Sequence, residues 1–366
     1  MQRRQFLRWG LGCSAWAASA QLMAKVTDDH RLSAPEKLIW RERAMVGFGT
    51  TLWLKAAHEN ADQLEAGLNA AVQAIRRVEH QMSLFDPDSA LSRLNARGHL
   101  QKPDAELLAV LRLSQHVSAK SAGAFDMSMQ PLWTVWSESA ESGRLPLRSD
   151  VQRAQQLVNW RAVEISGAAV RLNQSGMRLS LNGIAQGYAS DLARAALQAH
   201  GIQHALIDAG ETTLLGHAAG DKQWALAIES AAGEKSTHNF ADKLADKSAV
   251  KSGSGKGHNP MPVLICDGRA IATSSDAHTV FSADHKHHHI LNPQSGYSPA
   301  HWSSVTVIAP SCVLADALTK VFFMLPPSQV LSAAHRWGVD VVLQDKAGKW
   351  VASDGAGVNF SGLAYI

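Results

Sequence analysis

Apolar residues recur at helical spacing over residues 60–82, with Asn60 standing where a helix cap belongs. The stretch 44–56 ahead of it has strand character, so a strand followed by a helix opens the fold. Residues 103–119 predict a second amphipathic helix, entered through Pro103, Asp104 and Glu106 as helix starts prefer. Further helices are predicted over 151–158 and 188–200, the latter stopped by Gly201. Short apolar runs at 162–166, 169–172, 204–210, 224–230, 262–266, 270–274, 304–310 and 339–345 read as strands. Many strands with irregularly interleaved helices predict an α+β domain with a largely antiparallel sheet and flanking helices, not a regular βαβ repeat. Residues 231–260 are polar and rich in Lys, Ser and Gly; strand-like sequence resumes on both sides, so they read as a mobile loop inside one domain.

The chain has 366 residues, 46% of them hydrophobic and 18% charged, a composition that excludes disordered, collagen-like and coiled-coil proteins. A core of that size needs no disulfide staples. Residues 1–24 (MQRRQFLRWGLGCSAWAASAQLMA) combine a basic start, a short apolar run and small residues at Ala18 and Ala20, which predicts a signal peptide. Arg3-Arg4 ahead of Phe6-Leu7 fits the twin-arginine type, and export to the periplasm, with inner-membrane association as an option, is the expectation. Leu11-Gly12-Cys13 hints at a lipid anchor, although few apolar residues precede it. Residues 25–43 then form a lead-in to a domain over 44–366. Without Arg3, Arg4 and Arg8 the 35 basic residues become 32, equal to the 32 acidic ones. No basic surplus supports a nucleic-acid partner. Cys266 and Cys312 can pair in an oxidising compartment, but their apolar settings favour free buried thiols.

Four clusters mix Gly with polar residues. In Gly123-Ala124-Phe125-Asp126 a small-residue turn lets a planar ligand approach backbone N–H groups beside a carboxylate; an ordinary helix-terminating turn explains it equally. Leu181 to Tyr188 (LNGIAQGY) puts glycines before a helix start, where amides and the helix dipole favour phosphate, or merely makes a tight turn. In Asp284 to Gly296 (DHKHHHILNPQSG) three successive histidines alternate sides and cannot all meet one ion. That leaves one histidine aimed at a ligand phosphate, a solvated hairpin, or metal held by His287 and His289. In Ala315 to Lys320 (ADALTK), opening an apolar helix, Asp316 and Thr319 offer oxygens on one helical face of the kind Mg²⁺ accepts, unless Asp316 is a simple cap. No G-x-S-x-G, H-E-x-x-H, Walker or C-x-x-C signature is present, so hydrolase, protease and redox-thiol chemistry lose their main support.

These clusters in this order, with Phe48-Gly49-Thr50 and the stretch Met82 to Asn95 (MSLFDPDSALSRLN), resemble the ApbE family of FAD:protein FMN transferases from about residue 44 to 340. The resemblance implies a T-shaped α+β domain that binds FAD and Mg²⁺. It implies splitting of the FAD pyrophosphate with release of AMP, and linkage of FMN to a Thr or Ser in a D-x-x-[ST]-G-A-[ST] motif of a membrane redox subunit. By position, Phe48 and Phe85 contact the flavin, and Ala124, Phe125 and Asp126 the adenosine. Ser180, Gln186 and Ile290 line the cofactor. Gly183 through its carbonyl, Asp316 and Thr319 ligate Mg²⁺. Asp316 and His289 carry the chemistry, the histidine steadying the AMP side.

The chain departs from the family pattern at several points. Ser180 stands where Asp is common, and Gln186 where Lys or Glu is. The family often has Thr four residues after the metal Asp, but here Thr319 is at three and Lys320 at four. Either Thr319 takes the ligand role on a shifted helix, or Lys320 puts a positive charge beside the metal site. Glu211 and Ser275 replace familiar glycines. A periplasmic FAD-binding or flavin-delivery protein without transferase activity is therefore the alternative expectation.

Overall fold

A tight hairpin opens the fold. The computed structural model describes residues 38–228, 262–277, 279–359 and 364–365; the expected signal peptide over 1–24 and the expected loop over 231–260 lie outside them. β1 (Ile39–Gly47) and β2 (Thr50–His58) pair antiparallel from Ile39 opposite His58 to Gly47 opposite Thr50. The single strand expected over 44–56 is thus two strands. Phe48 and Gly49 both take left-handed backbone, φ 50° and 78°, and reverse the chain within two residues.

α1 (Ala61–Met82) follows, its first turn capped by the Asn60 side chain, which accepts from the Gln63 N–H. Leu64, Leu68, Ala71, Ile75 and Val78 form its buried stripe. Next come α2 (Ala90–Arg97), β3 (His99–Gln101), α3 (Ala105–Lys120), α4 (Gln130–Glu141) and α5 (Arg148–Gln155). β4 (Val163–Ile165), β5 (Ala169–Leu172), α6 (Ala185–Ala199), β6 (His204–Asp208), β7 (Thr212–Leu215) and β8 (Ala225–Ala227) complete the first half. The second half holds β9 (Val263–Ile265), β10 (Ala270–Ser275), β11 (Trp302–Ala309), α7 (Cys312–Phe323), α8 (Pro327–Trp337), β12 (Asp340–Asp345), β13 (Trp350–Ala352), β14 (Val358–Asn359) and β15 (Ala364–Tyr365).

A nine-stranded sheet in the order β1-β2-β6-β7-β10-β11-β12-β13-β15 organises the molecule. Its pairings are antiparallel except the last, β13 with β15. Alternation along the strands sorts side chains to two faces. Leu52, Leu54, Ile207, Val305 and Val341 join α1, α6 and α7 in the main core. Trp53, Leu206, Ile271, Ile308 and Val342 face the small sheet β14-β9-β8, which contributes Leu226, Leu264 and Val358. Helices, large sheet and small sheet form three layers, so the expected mixed architecture with a largely antiparallel sheet is what the chain adopts. Cys266 and Cys312 are free and buried, as their apolar settings suggested.

Candidate functional site

α6 and α7 meet at Gly187, where a Cβ would stand 2.8 Å from Asp316 Cβ and collide with the Cys312 carbonyl. Neither helix has a side-chain cap from its own N-cap residue. Each caps the other instead. The Gly187 N–H, in the first turn of α6, donates to Asp316 Oδ2 at 3.1 Å. The N–H groups of Cys312 and Val313, opening α7, donate to the two Asp191 oxygens at 2.9 Å each. Orphan amides of two helix ends are satisfied by carboxylates, the charge those ends prefer. Burial still pushes the Asp191 pKa up, against the pull of those two amides.

Asp316 is wholly buried. Its second oxygen, Oδ1, accepts from Lys320 Nζ at 2.5 Å, one turn along the same helix. The lysine stem runs across Gly183, where a Cβ would lie 3.2 Å from Lys320 Cε. The turn between β6 and β7 adds a second acid, Glu211, buried and accepting from the Thr273 N–H at 3.0 Å. Burial first, then the Asp316 charge, push the Glu211 pKa well above the ordinary carboxylate range, while Lys320 works the other way. Burial also acts to lower the Lys320 pKa, but Asp316 and then Glu211 outweigh it and hold the ammonium above its usual value. Gln186 packs on Gly210 beside this group; Gly210 has φ 99°, so the turn needs a glycine on both counts.

The structure bears directly on the ion that the family resemblance implies. Both Asp316 oxygens are engaged, one by an amide and one by an ammonium. The helix has not shifted to recruit Thr319: its hydroxyl donates to the Asp316 main-chain carbonyl at 2.7 Å and meets Ser274 Oγ at 2.8 Å. Of the two options left by the sequence, the second holds, with Lys320 beside the carboxylate. Mg²⁺ demands near-octahedral oxygen ligands, and a protonated amine on its anchoring carboxylate repels it. With Lys320 across Gly183 and on Asp316, and Thr319 bonded elsewhere, the side chains as arranged here do not fit that ion.

The remaining expected residues fall into linked segments. Phe85 is exposed and lies over the hairpin turn, its ring 3.6 Å from where a Gly49 Cβ would be. Phe48 packs on the main core, with its N–H donating to Glu79 Oε1 at 2.8 Å. Ser180 is half-buried, and its N–H donates to the Met127 carbonyl at 2.8 Å, tying LNGIAQGY to the GAFD turn. Gln294 Nε2 donates to the Ala122 carbonyl at 3.0 Å, tying the N-P-Q-S-G turn to the same place. Ala124 is half-buried; Phe125 and Ile290 are buried.

Asp126 is held by its own turn and by the start of the next segment. Its Oδ1 accepts from the Ser128 N–H and hydroxyl at 2.8 and 2.6 Å, and its Oδ2 from the Trp160 N–H at 3.1 Å. Burial pushes its pKa up, offset in part by those bonds. The carboxylate is a clamp that fixes the turn.

The three histidines turn to different neighbours, as alternation requires. His287 stacks on Trp136 at 4.8 Å, His288 is buried against Phe323 at 5.8 Å, and His289 Nδ1 lies 3.3 Å from the Thr279 carbonyl. Among the described residues no group of three or more His, Cys, Asp or Glu side chains is arranged to hold a metal ion. Sequence reasoning assigned no role to Asp191, Glu79 or Trp160. For Asp191 the signal was present: a carboxylate one turn beyond Gly187 on a helix with no cap of its own.

The fold has close counterparts. The ApbE protein of Thermotoga maritima MSB8 superposes with a TM-score of 0.72 at 21% identity, over 85% of this chain and 96% of that one. The apo form of the Pseudomonas stutzeri flavinyl transferase ApbE gives 0.70 at 24% identity, over 86% and 94%. In sequence, the FAD:protein FMN transferase of Treponema pallidum (strain Nichols) is 28% identical over 278 residues, 72% of this chain and 73% of that protein. That of Klebsiella pneumoniae (strain 342) is 26% identical over 306 residues, 82% and 88% of the two chains. Sequence relatives of this kind over most of the chain make it an enzyme of the flavin-transferase class. The ApbE family model matches residues 48–343, and the chain belongs to that family.

Proposed function

We propose that this protein moves the FMN half of FAD onto a Thr or Ser hydroxyl of an acceptor protein and releases AMP. The observation that carries the reading is the joining of segments far apart in sequence: Met127 to Ser180, Ala122 to Gln294, and Gly187 to Asp316. Family membership over residues 48–343 supports it. In the reaction the acceptor oxygen bonds to the flavin-side phosphorus, and the bond from that phosphorus to the bridging oxygen breaks. AMP departs with the bridging oxygen, and the hydroxyl proton passes to solvent base. Such a transfer asks the protein mainly to place groups and offset charge. Phe85 offers an exposed ring to the flavin, and His289 a half-buried imidazole to the AMP phosphate. The basic, apolar and small-residue pattern of residues 1–24 supports a periplasmic enzyme acting on a membrane redox subunit with a D-x-x-[ST]-G-A-[ST] motif.

Incubating the protein with FAD and a peptide of that motif, with Mg²⁺ in one series and chelator in another, should yield AMP and flavin-labelled peptide in equal amounts. Folded protein that releases no AMP in either series sinks the transferase reading. The Lys320 contact on Asp316 favours one second reading, FAD binding and delivery without transfer, which predicts bound FAD and no AMP.

A further inference from the structure

We propose that Lys320 is a built-in replacement for a divalent ion, so that this protein binds the FAD pyrophosphate without a metal. The inference rests on the reading that FAD occupies this site. Three observations meet in it. The lysine stem crosses Gly183 and its ammonium sits on Asp316 Oδ1, so one side chain spans two of the residues expected to surround a cation. The lysine side chain is 24% exposed while Asp316 has no exposure, so the lysine is the member of the pair that presents surface to a ligand. Thr319 is turned away, bonded to Ser274 and to its own helix.

Glu211 makes the arrangement self-consistent. With glycine at position 211, Asp316 would be the one acid for one ammonium; here the buried Glu211 carboxylate is held by the Thr273 N–H, next to the Ser274 hydroxyl that meets Thr319 beside Lys320. A lone buried glutamate at this depth is costly, and a half-buried lysine introduced with it offsets that cost. The chain departs from the family pattern at Glu211 and Lys320 as a complementary pair. A fixed ammonium offers one positive charge and three donors to phosphate oxygens, with no coordination geometry to satisfy.

The test reads binding first and turnover second. FAD affinity of the full chain, followed by flavin fluorescence, should be the same in EDTA and in Mn²⁺, and the Mn²⁺ electron paramagnetic signal should show no ion taken up one-to-one with FAD. Lys320→Gln should weaken FAD binding about tenfold or more. Lys320→Thr combined with Glu211→Gly should bind FAD poorly in EDTA, take up one Mn²⁺ per chain, and regain affinity with it. This double variant keeps the test decisive if the single one folds badly. Wild-type affinity that collapses in EDTA and returns with Mn²⁺ overturns the proposal, whether or not AMP is released. Metal-indifferent FAD binding without AMP release upholds it and instead defeats the transferase reading.

Discussion

His288 has no exposed surface, and burial first, then the nearby Lys346 charge, pull its pKa down to about 4. In the unfolded chain the same imidazole titrates near 6.5. Between those values the unfolded state takes up a proton that the folded state refuses. Stability from this group is therefore complete above 6.5 and is lost as pH falls toward about 4, by on the order of 3 kcal/mol. Acids such as the half-buried Asp208 and the buried Glu211, whose pKa values are raised, respond in the opposite sense, so the comparison belongs between variants. Urea midpoints at about pH 7 and pH 4.5 should show a smaller acid loss in His288→Leu than in the wild type; equal losses contradict the account. The residue scale is also where sequence reasoning reached least far. Alternation told that three histidines diverge, but which one is buried depends on Phe323, a contact no local pattern announces. Asp126 was singled out as a ligand contact, and no local pattern announces the bonds it accepts from Ser128 and Trp160.

At the scale of elements, the contact of α6 with α7 has no spare room. Gly187→Ala should cost about 1–3 kcal/mol, because the added methyl presses on Asp316 and the Cys312 carbonyl and neither is a flexible chain end. Chemical denaturation measures that loss, and a stability within about 0.5 kcal/mol of wild type rules out the tight contact. Elements with a clean one-sided pattern were legible, α1 with its Asn60 cap above all. Two short amphipathic helices went unpredicted, α2 between Ser89 and Gly98 and α8 between Pro327 and Gly338, although their end residues mark the boundaries. α7 was legible only in part because it is apolar nearly all round: Cys312, Ala315, Ala317, Leu318, Val321, Phe322 and Phe323 are all buried, so no face stands out. The hairpin read as one strand because its turn is Phe48-Gly49, without the Asn-Gly or Asp-Gly signal.

For the molecule as a whole, composition and strand count sufficed for an antiparallel sheet with helices beside it. Strand order did not follow from them. β2 pairs with β6, and β7 with β10, across long intervening segments, and local sequence carries no address for such a partner. The same holds for the reciprocal helix caps. Gly187 and Asp316 are 129 residues apart, and Asp191 and Cys312 are 121 apart. Contacts of that separation form late, because the intervening chain loses its freedom before the bond rewards it. In pulse-labelled hydrogen exchange during refolding, the Gly187 amide should gain protection after the amides of the β1–β2 hairpin; simultaneous protection would contradict this order. On the ribosome, α6 is therefore synthesised before the carboxylate that caps it exists: 129 residues separate the Gly187 amide from Asp316.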